Sequence, residues 1–202
     1  MVRLLRDSMA VLIRPRSAFC SITERNSSSA YVLPLILVYG MVNGGFAAVR
    51  VLSSLASLPA VERGVIVSTP GLNLVLQLSA AAGGVVVALL LWIIMASVMY
   101  VVARLSGGQA GFNKSSVLVG FSTIPLSIYS ALLLLLSQVA PTLALTQSQG
   151  FGLTFPFKAV FVGWSGLLVA WGTSIAYRIG FKRMLVASLM FSLLFFYGPN
   201  IA

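Results

Sequence analysis

The chain has 202 residues, with no histidine, one cysteine and three acidic residues. Each scarcity removes a class of chemistry. Without histidine, the commonest general base and the commonest metal ligand are both missing. Cys20 alone makes neither an intrachain disulfide nor a cysteine metal cluster, and no imidazole is present to activate it. A small apolar packing role is the simpler reading. Asp7, Glu24 and Glu62 all lie outside the long apolar stretches. Aspartyl-type intramembrane proteolysis, proton-coupled transport and carboxylate ion filters therefore lack their working group, and zinc-dependent proteolysis lacks its histidines. Neither G-x-x-x-x-G-K-[ST] nor G-x-G-x-x-G occurs. We expect no catalytic residue, no cofactor and no metal, hence a protein that is not an enzyme.

Charge of either sign is scarce. Charged residues make up 8% of the chain, against roughly 25% in ordinary globular domains. Hydrophobic residues make up 59%, and the mean hydropathy is +1.03. Too few charges exist to cover a soluble surface, so the apolar surface must face lipid. The pattern predicts an all-α, polytopic transmembrane bundle of about five spans with N-terminal interfacial amphipathic helices. The net charge of +10 would suggest nucleic acid in a soluble chain. Here the basic residues flank apolar segments, the usual orientation signal of membrane proteins, and no nucleic-acid partner is expected.

Two regions follow: residues 1–29, a cytoplasmic N-terminal interfacial segment, and residues 30–202, a five-span domain. In the first, Leu5, Met9 and Leu12 share a helical stripe, with Arg3, Arg6 and Asp7 largely off it. Pro15 suits the first turn of a second short helix that places Phe19 and Ile22 on one side. Both pieces read as helices lying on the membrane, the alternative being a solvated tail. The run Ser8–Ile13 is too short for a signal-peptide core, and Arg14, Pro15 and Arg16 interrupt it, so no cleavable leader is expected.

Spans are predicted at about 31–49, 73–103, 116–140, 157–177 and 184–197. Ser27, Ser28 and Ser29 offer caps for the first, which runs on toward Pro59. Thr69 and Pro70 are the expected start of the second. From Asn73 to Ala103 no charge occurs over 31 residues, roughly 46 Å of helix. That is too long for one upright span, so the segment tilts, protrudes or bends at Gly83-Gly84. Arg104 to Lys114 reads as a short polar turn. With the N-terminus inside, ten of the 13 Lys and Arg residues fall on inner segments, and Arg50, Arg63 and Lys158 fall outside. The positive-inside rule then sets the N-terminus in the cytoplasm and the C-terminus outside, in the cell membrane if the source is prokaryotic.

Several small motifs invite more than one reading. Gly40-Met-Val-Asn-Gly44 is a GxxxG pattern suited to close helix packing, within the chain or between copies. Asn43 needs a partner in hydrocarbon and should face another helix. Arg50 sits near the far interface, where snorkelling accounts for it. Gly107, Gly108 and Gly111 form either a tight turn or a backbone cradle for a phosphate near Arg104 and Lys114. Pro125 removes one helical hydrogen bond, and Ser122, Thr123 or Ser127 can compensate locally at a kink. Asn43, Gln77, Ser79, Ser122, Thr123, Ser127, Tyr129, Ser130, Ser165, Thr173 and Ser174 form a polar subset within the spans. A cavity among them would favour transport, whereas scattered helix contacts would not.

Three stretches carry a family resemblance. Pro15, Phe19 and Ile22 match a P-x-x-x-F-x-x-I segment; Gly107, Gly108 and Phe112 are similar to GG-x-x-[ST]F, with Gly111 at the [ST] position; and Gly120, Phe121 and Pro125 match G-Y-x-x-x-P with Phe for Tyr. In this order the chain resembles the Yip domain family, the Ypt/Rab-interacting five-span membrane proteins, over roughly residues 10–200. It looks like a compact, prokaryotic-type member. The D-L-Y-G-P segment that precedes the first span in eukaryotic members has no counterpart there; Tyr197-Gly198-Pro199 lies at the opposite end. The resemblance implies a non-enzymatic protein that organises or shapes membrane or recruits partners. Its expected partners are the lipid bilayer, anionic lipids at the cytoplasmic face, and other membrane proteins or further copies of itself. A small transporter, channel or lipid-translocating protein is the alternative.

Overall fold

A computed structural model of the chain describes residues 2–25, 27–56, 71–139 and 154–197. The described residues form seven helices, and none of them is in a strand. Two short helices come first, α1 (Val2–Ile13) and α2 (Pro15–Glu24), followed by a 3-10 turn, Ser29–Val32. Five longer helices follow: α3 (Leu33–Ala56), α4 (Leu72–Leu105), α5 (Phe112–Val139), α6 (Thr154–Tyr177) and α7 (Phe181–Tyr197). Among the described residues, four segments are long and apolar enough to cross a membrane: Ser29–Val49, Leu74–Leu105, Phe112–Leu136 and Pro156–Tyr177. Helix α7 has 17 residues, roughly 26 Å of rise, which falls short of a hydrocarbon core of about 30 Å.

Helix α5 is the axis of the bundle. Its most apolar stretch is 50% buried, against 17% for that of α4, and it packs on α3, α4 and α6. Leu118 and Phe121 of α5, Met99 of α4, Leu168 of α6 and Met184 of α7 are fully buried in the core. Helices α6 and α7 form a hairpin, joined by Arg178–Gly180, in which Gly166 faces Ser192. On α4, Leu74, Val75, Leu78, Val86, Leu90 and Ile94 are exposed, as lipid-facing side chains are in the absence of their solvent.

Helices α3 and α4 cross on glycine. A Cβ on Gly40 would stand 2.6 Å from Val85 Cα, and one on Gly44 would stand 2.7 Å from Ala81 Cα. Across the contact, a Cβ on Gly84 would stand 2.6 Å from Gly44 Cα. Small residues let backbones approach this closely where apolar burial against lipid gives little net drive. Gly40 and Gly44 thus pack within the chain. Helix α4 runs unbroken through Gly83-Gly84, and Gly84 serves the crossing, where a bend was one expectation.

Local boundaries follow from caps. Ser28 Oγ accepts from the Ala30 amide at 3.3 Å and opens the first span as a 3-10 turn before α3 begins at Leu33. Helix α3 reaches Ala56, well past residue 49. Gly71, at φ 81, stands at the N-cap of α4; Thr69, Pro70, Glu62, Arg63 and Gly198-Pro199 lie outside the described residues. Phe112, Asn113 and Lys114, expected in a turn, form the first turn of α5.

The N-terminal helices bury one face against the bundle, and of the expected stripe Leu5 and Met9 are exposed while Leu12 packs against the core. Leu4, Asp7, Ser8 and Val11 are the buried face of α1, and Phe19 and Ile22 that of α2, which lies against α6. The stripe Val2, Leu5, Met9 and Ile13 points the opposite way and is exposed. Two apolar stripes share one twelve-residue helix, and the heptad-like Leu4–Val11 spacing fills the core.

Candidate functional site

One end of the bundle collects most of the charge and most of the polar contacts between helices. Helices α1 and α2, the α4–α5 turn and the α6–α7 turn all meet there. Arg3, Arg6, Arg14, Arg16 and Arg25 come from the N-terminal segment, Arg104 and Lys114 from the first turn, and Arg178, Lys182 and Arg183 from the second.

Asp7 is the polar centre of this end. It is 5% exposed, yet it is charged, so it needs partners. Arg25 Nη1 donates to its Oδ2 at 3.0 Å, and the Tyr31 hydroxyl donates to the same oxygen at 2.9 Å. One carboxylate thus ties α1 to the end of α2 and to the 3-10 turn. Arg25 Nη2 also donates to Ser21 Oγ. A second clasp is Asn113 in the first turn of α5. Its Oδ1 accepts from the Ser29 amide at 2.7 Å and from the Ser29 hydroxyl, and its Nδ2 donates to the Ser27 carbonyl at 3.0 Å. The Trp92 indole N–H donates to the Ser116 carbonyl at 2.8 Å, and Ser115 Oγ donates to the Ala96 carbonyl at 2.9 Å, joining α4 to α5.

Most of the motif residues are packing residues of this same end. Pro15 opens α2, and Phe19 and Ile22 are buried. A Cβ on Gly120 would stand 2.6 Å from Val32 Cβ, so only glycine admits the 3-10 turn there. Phe121 is fully buried, with its ring 6.1 Å from that of Tyr31. Gly107 and Gly108 end α4 in a Schellman motif: Gly108 N–H donates to the Ala103 carbonyl at 2.9 Å and Gly107 N–H to Arg104 at 3.0 Å. Gly107 holds φ 90, and a Cβ on Gly108 would collide with Tyr177 at 2.8 Å. The Tyr177 hydroxyl donates to the Gly111 carbonyl at 3.1 Å. These two amides serve the helix's own carbonyls, so the phosphate-cradle reading of the glycine turn fails. Phe112 is partly exposed and meets Tyr100 edge-on at 6.0 Å.

Most of the polar subset of the spans is engaged in hydrogen bonds within or between helices, while the Thr173 hydroxyl is buried without a partner among the described residues. Ser122, Thr123, Ser127 and Ser174 each donate to a carbonyl of their own helix, at 2.7, 2.8, 3.0 and 3.0 Å. Ser79 does the same at 3.0 Å and is exposed, as is Gln77. Two contacts cross between helices: Ser130 Oγ to Asn43 Oδ1 at 2.8 Å, and Ser165 Oγ to the Ser122 carbonyl at 2.7 Å. The second sits beside Pro125, whose ring leaves the Phe121 carbonyl without its usual donor. None of these hydroxyls bonds that carbonyl: Ser122, Thr123 and Ser127 donate to Val119, Gly120 and Thr123, and Ser165 donates to Ser122. Helix α5 continues through Pro125. Arg50 stands on α3, with its side chain outside the described residues.

Asp7, Tyr31, Asn113 and Tyr177 were not singled out in the sequence. A signal existed for Asp7 alone: it lies three residues after Leu4 and four before Val11, on the stripe that packs. The others act through contacts 24 to 86 residues away in sequence, which no local pattern records.

Neither a curated protein nor a solved structure matches the chain. A family model does: the Yip1 domain matches residues 9–199. That range runs from α1 to beyond α7 and includes the three motif segments, two of which build the basic end with their glycines and aromatics. Nearly the whole chain is accounted for, and it belongs to the Yip1 domain family of membrane proteins.

Proposed function

We propose that the protein organises or shapes the membrane in which it sits, through its basic end and without enzymatic chemistry. The observation that carries this reading is the pairing of ten cations with the outward stripe Val2, Leu5, Met9 and Ile13 at the same end of the bundle. An apolar stripe flanked by cations suits insertion at a headgroup–acyl boundary. Each cation near an anionic leaflet adds roughly 1 kcal/mol of attraction. The charge asymmetry favours a cytoplasmic basic end and, from it, a cytoplasmic N-terminus.

Two experiments test the reading. Cys20 is exposed at this end and is the chain's single thiol. A membrane-impermeant maleimide should label it only after cells or spheroplasts are opened; labelling in intact cells would reverse the orientation. The exposed stripe is tested by Leu5→Gln with Met9→Gln and Ile13→Gln in the full chain, reconstituted into vesicles containing anionic lipid. Loss of vesicle remodelling and of partner capture is expected. Unchanged morphology and capture would overturn the role assigned to this end.

A further inference from the structure

An open cleft of about 500 Å³ lies between α1 and α2, lined by Arg6, Asp7, Ala10, Ile13, Arg14, Ser17, Ala18, Ser21 and Arg25. Its volume falls within the ~300–1,000 Å³ of small-ligand sites. Its charge is unbalanced. Asp7 and Arg25 offset each other at 3.0 Å, whereas Arg6 and Arg14 make no ion pair among the described residues. We infer that this cleft is a binding site for a phosphate-bearing lipid headgroup, a reading that rests on the basic end facing an anionic leaflet.

Three observations carry the assignment. First, the three guanidiniums come from α1 (Arg6), from the residue between α1 and α2 (Arg14) and from the residue after α2 (Arg25), yet border one hollow. Guanidiniums bind phosphate oxygens in a planar, bidentate fork and are less strongly hydrated than ammonium groups. Second, Arg25 is held in place by Asp7 and Ser21, so one member of the set is oriented in advance. Third, Ile13 belongs to the cleft and also to the exposed stripe with Met9 and Leu5. A phosphate in the cleft can therefore leave its acyl chains along an apolar path, which a free anion would not use. Ser17 and Ser21 add hydroxyl partners for phosphate or glycerol oxygens.

The test uses the full chain in detergent micelles, with three probes measured by titration: short-chain phosphatidic acid, short-chain phosphatidylcholine and inorganic phosphate. Two variants of equal charge loss are compared. Arg6→Gln with Arg14→Gln empties the cleft of its unpaired cations; Lys182→Gln with Arg183→Gln removes two cations from the α6–α7 turn. Arg25 is left alone because it supports Asp7. We expect the wild type to bind phosphatidic acid about tenfold or more tighter than phosphatidylcholine. The cleft variant should lose that preference, and the turn variant should keep it, with the melting temperatures of all three unchanged. Equal losses in both variants, or none in the cleft variant, would overturn the site. Inorganic phosphate binding as tightly as the lipid would overturn the lipid assignment in favour of a soluble ligand. Micelle binding is independent of vesicle remodelling. Remodelling that persists without lipid preference would defeat the cleft alone; a lipid preference without remodelling would defeat the membrane-shaping role alone.

Discussion

The crossing of α3 on α4 and the packing of α1 and α2 against the basic end are both helix contacts, yet they are built from opposite materials. At the crossing the working feature is the missing side chain: Gly40, Gly44 and Gly84 bring two backbones into contact. At the basic end the working features are a few long polar side chains, Asp7, Arg25, Tyr31 and Asn113, that reach between segments. The difference reflects the solvent on each side. In hydrocarbon an apolar side chain gains little by leaving lipid, so close backbone approach supplies the attraction. Near the water boundary apolar burial is again favourable, and Leu4, Val11, Phe19 and Ile22 bury while polar clasps fix their register.

The crossing should break completely under a single added side chain. Gly84→Leu places its Cβ against Gly44 and Gly40 backbone, atoms that cannot rotate away. We expect loss of the monodisperse species in size-exclusion chromatography of detergent extracts. Gly83→Leu, one position along with open space at its Cβ, should behave as wild type. If both variants are equally well folded, the crossing is not the tight contact described.

The basic end should yield by degrees. Asp7→Ala leaves the Arg25 guanidinium and the Tyr31 hydroxyl without their shared acceptor, at a cost of roughly 2–3 kcal/mol for charge-assisted bonds. Thermal melting should show it, together with faster labelling of nearby Cys20. Asn113→Ala opens the second clasp and should cost about 1–2 kcal/mol. If Asp7→Ala proves neutral, the exposed Arg25 contact is solvent-screened and the end is held by apolar packing alone.

The same contrast governs what the sequence reveals. The spans are legible because a run of apolar residues needs no partner to be recognised: Asn73–Ala103 has no charge, and α4 covers it. Gly40 and Gly44 are legible as a packing pair because the pattern is local, although their partner Gly84 reads equally well as a bend. The basic end is much less legible. Leu5 and Met9 form as good a stripe as Leu4 and Val11, and periodicity alone does not say which one meets the protein. Asn113 and Tyr177 look like ordinary residues of a turn and a helix end, since their partners Ser27, Ser29 and Gly111 lie far away in sequence. The motif glycines 107, 108 and 120 stood out as a pattern, and their reasons came only from the neighbours Tyr177 and Val32.

The smallest expected effect concerns a residue where the basic end accepts strain. Arg178 has φ 55, the left-handed region, at the C′ position of α6, with its own amide bonded to the Ile175 carbonyl and that of Ile179 to Ser174. Glycine is the usual occupant of this position, and a side chain there costs roughly 1 kcal/mol. An arginine returns part of that cost, about 0.3–1 kcal/mol, as a cation beside the negative end of the helix dipole. Removing the two effects separately orders the variants. Arg178→Gly relieves the backbone and loses the charge, for a net gain below about 1 kcal/mol; Arg178→Ala loses the charge and keeps the strain, for a loss of a few tenths to about 1 kcal/mol. Melting temperatures should therefore rank Gly above Arg above Ala, while association with anionic vesicles should be highest for Arg. If the glycine variant melts lowest, the arginine makes a contact that outweighs its strain, and charge at this end serves the fold as much as the membrane.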